Sequence, residues 1–209
     1  MAKKAAKKPA KKSVKKAVKR PAYRLKDPTD EQMTPPQRAL KEAISSGPRG
    51  IRKKLTGPFA IWMQAPEYGD LAQRLGAHVR YNTALSPRQS EFAILCTGQK
   101  WKAQYEWFAH EPMALKAGVK PQTVKDIKAG RAPKSAPKDE RAIYDFVQEL
   151  YKTRRVSDKS YKRVHDVLGT RGTVELVGIL GYYALISMTL NVFRADLPDN
   201  APLPFAEPA

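Results

Sequence analysis

The chain carries one cysteine, Cys96, and three histidines, His78, His110 and His165, in 209 residues. A single thiol excludes an intramolecular disulfide framework and any cysteine-rich metal site. Three scattered imidazoles make no metal-ligand spacing, so neither metal nor cofactor is expected. One thiol fits a reducing compartment, and a cytoplasmic location is the expectation. Acids are scarce: 20 Asp and Glu face 39 Lys and Arg, for a formal charge of +19. No alternating apolar–polar run marks a strand and no Gly-rich phosphate loop occurs, which points to an all-α fold. The N-terminal stretch lacks an apolar core segment, so no secretory signal is expected there.

Residues 1–22, MAKKAAKKPAKKSVKKAVKRPA, repeat lysine pairs every four positions and contain no acid. So many like charges without an apolar face predict a disordered tail. Such a tail binds nucleic acid or another polyanion by counterion release, without reading sequence. The alternative is a solvated appendage without a partner.

Residues 23–35 read as a linker and 36–46 as a short helix stopped by Gly47-Pro48. In the next helix Leu71, Leu75, His78 and Val79 keep helical spacing, and His78 is read as packing beside it. Ser86-Pro87 caps a helix that runs through Glu91. Further helices are predicted over 122–129, over 139–153 with Ile143, Phe146, Val147 and Leu150 inward, and over 158–168. His165 is placed at the surface. The stretch 173–193 is the most apolar and long enough for a membrane span, but it holds Glu175 and Asn191 and no second span exists. It is read as a core helix, with no membrane role. Tyr182 and Tyr183 are core aromatics there, and Asn191 is either a cap or a site wall. Residues 199–209 form a Pro-rich tail.

The centre of the chain is Glu91 to Gly118, EFAILCTGQKWKAQYEWFAHEPMALKAG. Glu106 and His110 stand four residues apart, so on a helix they lie one above the other. On one helix, Phe92, Leu95, Gln99, Ala103, Glu106 and His110 would share an arc of about 100°. An acid and an imidazole on an apolar face are costly to bury unless paired. Glu91 would lie about 28 Å from His110 along an unbroken helix, so the chain must turn to join them. The turn is predicted at Gly98 and the four residues after it, with Ala103 opening the second helix. The three side chains form either a catalytic set or a buried polar network.

Four segments, LSPRQSEFAIL, AQYEWFAHEPMALKAG, RVSDKSY and GYYALISMTLNVF, resemble the carboxymuconolactone decarboxylase family, in the family's order. The resemblance runs from about Gly47 to Pro198. It implies a helical bundle of the alkylhydroperoxidase type over residues 36–198 and a homo-oligomer, a trimer or a multiple of one. Peroxide-reducing members carry Cys-x-x-Cys-x-x-x-His with a glutamate upstream. Here the histidine is His110 and the glutamate Glu91, while Ala103 and Glu106 stand at the two cysteine positions. The departure speaks against peroxidase chemistry and leaves the decarboxylase-like branch.

That branch implies a small carboxylate or lactone substrate. A lactone carbonyl can itself accept the electrons left by departing CO₂. His110 is then the acid that protonates the dienolate, Glu106 orients or charges it, and Glu91 completes a relay. The pocket is expected to be lined by Trp101, Trp107 or the last helix. Lys100, Lys102, Arg154 and Arg155 are candidates for positive charge at its mouth. Two other readings remain: an alkylhydroperoxidase-type antioxidant enzyme relying on Cys96, and a non-catalytic scaffold whose basic tail binds nucleic acid.

Overall fold

The computed structural model describes residues 22–50 and 54–207. The Lys-rich tail read over residues 1–22 lies outside the described residues, apart from Ala22. Among the described residues there are eight α-helices and no strands, as the all-α reading expects. They are α1 (Pro35–Ser46), α2 (Pro58–Trp62), α3 (Pro66–Tyr81), α4 (Pro87–Trp101), α5 (Gln104–Lys116), α6 (Pro121–Lys128), α7 (Lys138–Thr153) and α8 (Asp158–Phe193).

α4 is the centre of the packing. Ser86 Oγ accepts the Gln89 N–H, and the Gln89 side chain accepts the Ser86 N–H at 3.0 Å, a capping box in front of Pro87. Ten consecutive residues, Ser90 to Gln99, are buried on every side of the helix. α5, α6, α7 and α8 all pack against it. A helix buried all round has no polar stripe, so the single apolar arc expected across Phe92 to His110 does not exist.

The chain does reverse between Glu91 and His110, at the far end of the expected stretch. Gly98 stays helical inside α4, and Lys102 takes the left-handed conformation (φ 49°, ψ 35°). The Lys102 N–H donates to Gln99 O and the Ala103 N–H to Gly98 O at 3.0 Å, the two bonds of a Schellman closure. A methyl at Gly98 would lie 3.7 Å from Glu106 Cγ, an ordinary packing distance, so neither a turn nor a close approach calls for glycine there.

α3 turns its bulky side chains the other way from the sequence reading. Gly69, Ala72, Gly76 and Val79 face inward, whereas Leu71, Leu75 and His78 are exposed. Small residues are needed inside because Trp62 and Leu40 crowd Gly69 and Tyr182 crowds Gly76. α7 turns Ile143, Phe146 and Val147 inward, as expected. α8 is broken at Gly169 (φ 67°), which separates 158–168 from the apolar part that follows. A side chain at Gly169 would have space, so the backbone conformation is what calls for glycine. By length and hydropathy α8 could cross a membrane; here it packs on α4, α7 and α3. After α8 the chain runs back over α5. The Gln104 amide donates to Phe205 O and accepts the Phe205 N–H, both at 2.9 Å. Phe205 thereby seats edge-on against Trp107, with centroids 5.3 Å apart.

Candidate active site

Reversal of the chain at Lys102 lays α5 along α4 and brings three distant residues into one buried cluster. Glu106 lies in the first turn of α5, where the helix N-terminus favours a carboxylate. His110 follows one turn later, and Glu91 approaches from the second turn of α4. His110 Nδ1 sits 2.7 Å from Glu91 Oε2, a hydrogen bond between buried side chains. On the other side, His110 Nε2 lies 3.0 Å from Glu106 Oε1. The latter pair has ion-pair distance but poor hydrogen-bond direction, and Glu106 Oε1 is buried without a hydrogen-bond partner. The Tyr183 ring stands edge-on to the imidazole at 5.1 Å and closes that side.

Burial opposes charge on His110, but Glu106 and Glu91 outweigh it and raise the imidazole pKa from 6.5 to about 9. His110 is therefore an imidazolium at neutral pH, held between two carboxylates. Arg80, at the end of α3, places Nη2 at 4.0 Å from Glu91 Oε1 and offsets the second negative charge. It also donates to Met113 Sδ at 2.6 Å.

His110 and Glu106 form part of the wall of a cavity of about 200 Å³; Glu91 does not line it and stands behind the imidazole. The proton on Nε2, beside Glu106, is consequently the one nearest the cavity. Tyr182, Tyr183 and Ile186 of α8 supply another wall, with Phe59 and Tyr105 completing the apolar part. Of the residues expected to line the pocket, those of the last helix do, and the two tryptophans do not. Trp107 is fully buried on the Phe205 side, its Nε1 donating to Glu111. Trp101 lines other cavities.

Besides His110, the positive groups at this cavity are Arg49 and Arg80, which the sequence reading passed over. The four basic residues it proposed are elsewhere. Lys102 lines a larger cavity of about 470 Å³ under the C-terminal segment, and Lys100 and Arg154 line one beside Trp101 and Tyr151. Arg155 is exposed and lines none of these. The larger cavity holds none of the Glu91–His110–Glu106 set, and Tyr105 is a wall common to both. Arg49 follows α1 in a loop where basic residues are abundant, so nothing in its local sequence singles it out. The signal that could have found it is Gly76: a methyl there would overlap the Tyr182 hydroxyl and meet Arg49 Nη2 at 2.9 Å.

Cys96 lies in the middle of α4, buried, away from the cavity lining. Burial, with the Glu140 charge adding to it, pushes the thiol pKa up, the opposite of a reactive thiolate. His78 is exposed on α3, and His165 stacks on Tyr161 at the surface. Asn191 donates to Trp101 O at 2.8 Å, tying α8 to the end of α4. Among the described residues no group of three or more His, Cys, Asp or Glu is arranged to hold a metal ion. Compared with known proteins, the chain matches no family model and no curated protein.

Proposed function

We propose that the chain is a carboxymuconolactone decarboxylase-like enzyme that removes CO₂ from a carboxylated lactone or a related unsaturated acid by acid–base chemistry. The observation that carries this reading is a buried imidazolium, His110, on a cavity wall with a carboxylate at each ring nitrogen. A charged imidazole at neutral pH is a loaded proton donor.

In the reaction the bond between the ring carbon and the departing carboxylate breaks. Its electron pair moves through the conjugated system into the lactone carbonyl, giving a dienolate and CO₂. His110 Nε2 delivers its proton to the dienolate carbon. The neutral imidazole then takes a proton from water, drawn by Glu106 and Glu91, and the cycle closes without net change in the protein. Glu91 holds Nδ1 and thus keeps Nε2 aimed at the cavity. Tyr183, whose burial raises its pKa well above the ordinary value, stays protonated and can donate to a developing enolate oxygen.

The thiol reading is disfavoured by a single buried Cys96 with a raised pKa and no resolving partner. The test is CO₂ release from carboxymuconolactone and related lactone acids, run beside a peroxide-consumption assay. CO₂ release without peroxide consumption is expected; peroxide consumption alone would sink the proposal.

A further inference from the structure

Two guanidinium groups face the cavity, and they are not equivalent. Arg80 is engaged, with Glu91 at 4.0 Å and Met113 Sδ at 2.6 Å. With Arg80 included, the charges of Glu91, Glu106 and His110 cancel. Arg49 has no carboxylate within ion-pair distance among the described residues. Its contacts are Gln73 Oε1 at 3.5 Å and the face of Phe59 at 5.1 Å from the ring centroid. Burial lowers its pKa, against the opposing influence of Tyr182, Tyr81 and Tyr183, and the charge of Arg80 lowers it further. Beside it stands the Tyr182 hydroxyl, packed with Arg49 Nη2 over the bare backbone of Gly76. Neither Tyr182 nor Tyr183 spends its hydroxyl on a hydrogen bond within the described residues. A guanidinium with no carboxylate partner among the described residues, beside the unspent Tyr182 hydroxyl and on the wall of a cavity, is a receptor for a carboxylate.

We propose that Arg49 is a specificity-determining binding residue that holds a carboxylate the substrate keeps through the reaction. Which carboxylate it holds rests on the decarboxylase reading; that it holds one does not. A departing carboxylate loses its charge on the way to CO₂. A cation gripping it would stabilise the starting acid more than the transition state and would slow the step. The retained acid has no such penalty, so Arg49 can bind it tightly and orient the ring.

The test is calorimetric titration of the full chain with a butenolide bearing one acetate arm, against its methyl ester. These probes carry the retained acid and lack the departing one. Wild type is expected to prefer the acid by at least about tenfold, the scale of a charge-assisted hydrogen bond. Arg49→Gln should erase that preference while leaving ester binding and Tm near wild type. Arg49→Lys should keep part of it, since an ammonium lacks the bidentate fork. Should Arg49→Gln fail to fold, the lysine variant decides, and an undiminished preference in it overturns the proposal. Equal binding of acid and ester to wild type, no binding of the acid, or a preference surviving in Arg49→Gln also overturns it. If the preference vanishes in Arg49→Gln yet no lactone acid yields CO₂, Arg49 stands as the anchor and the decarboxylase reading falls. If CO₂ is released with the same KM by wild type and Arg49→Gln, the reading stands and the anchor falls.

Discussion

His110 owes its charge to what surrounds it. In an unfolded chain its imidazole titrates near 6.5; in the fold two carboxylates hold the proton to about pH 9. A pKa raised on folding contributes stability that is complete below the unfolded value and lost as pH rises through the folded one. Tm should therefore decline between about pH 6.5 and pH 9, apart from other titrations. Glu106→Gln removes the carboxylate beside Nε2, so the His110 pKa should fall by at least one unit in an NMR titration, on the scale of one opposite charge. An unchanged pKa would mean that Glu106 does not charge the ring. Cys96 is the counter-case. Cys96→Ala should leave any lactone turnover near wild type at a modest packing cost, since a buried cysteine behaves as a small apolar side chain; loss of turnover would favour the thiol reading instead. Glu106 and His110 are legible in sequence because i, i+4 spacing means adjacency on any helix. Arg49 is not, because its place depends on a loop meeting α3 and α8, and no local pattern encodes that.

At the scale of elements, the pair α4–α5 makes the site. The need for a turn between Glu91 and His110 is legible from helix length alone. The turn's position is less so, because Lys102 closes the helix where a glycine is the usual residue, and Gly98 reads as a breaker although it stays helical inside α4. α3 misleads in a related way: its large residues are outside because the inward positions are crowded by Trp62 and Tyr182. Arg88, with Gln89 beside it, ties α4 to the start of α7. Its guanidinium reaches Glu140 Oε1 at 2.5 Å and Asp139 Oδ2 at 2.7 Å, and the Glu140 side chain is 1% exposed. Glu140 Oε2 has no partner among the described residues, and burial raises the Glu140 pKa despite Arg88. Arg88→Met would leave that carboxyl buried without a counter-charge. The expected cost is about 3 kcal/mol of unfolding free energy in urea denaturation. A change below about 0.5 kcal/mol, the size of an exposed pair, would show that Arg88 is not what supports Glu140.

For the molecule as a whole, the outer face of α8 stands out. Val174, Val177, Met188 and Val192 are each more than 40% exposed, and with Gly178 and Gly181 they fall within an arc of about 100°. Leu71 and Leu75 of the adjoining α3 are exposed as well. A contiguous apolar face of this kind is what the homo-oligomer implied by the sequence resemblance would cover, and we propose that it does so. Light scattering at physiological salt should give a multiple of the 23.4 kDa chain mass, and Val177→Lys should shift it towards the monomer. A monomeric wild type would count decisively against the proposal. The apolar character of α8 is plain in the sequence, but not the division between its core side and its outer side. That division is set by the packing of α4, α7 and α3 around it.

The most direct test of the central claim is the rate of CO₂ release from carboxymuconolactone as a function of pH, for wild type and His110→Ala. With a charged His110 as the proton donor, wild-type rates should hold through neutral pH and fall on an alkaline limb near pH 9. The variant should lose at least about a hundredfold and show no such limb, the usual scale of a general acid. A His110→Ala variant that keeps the wild-type rate and the wild-type limb would contradict the account.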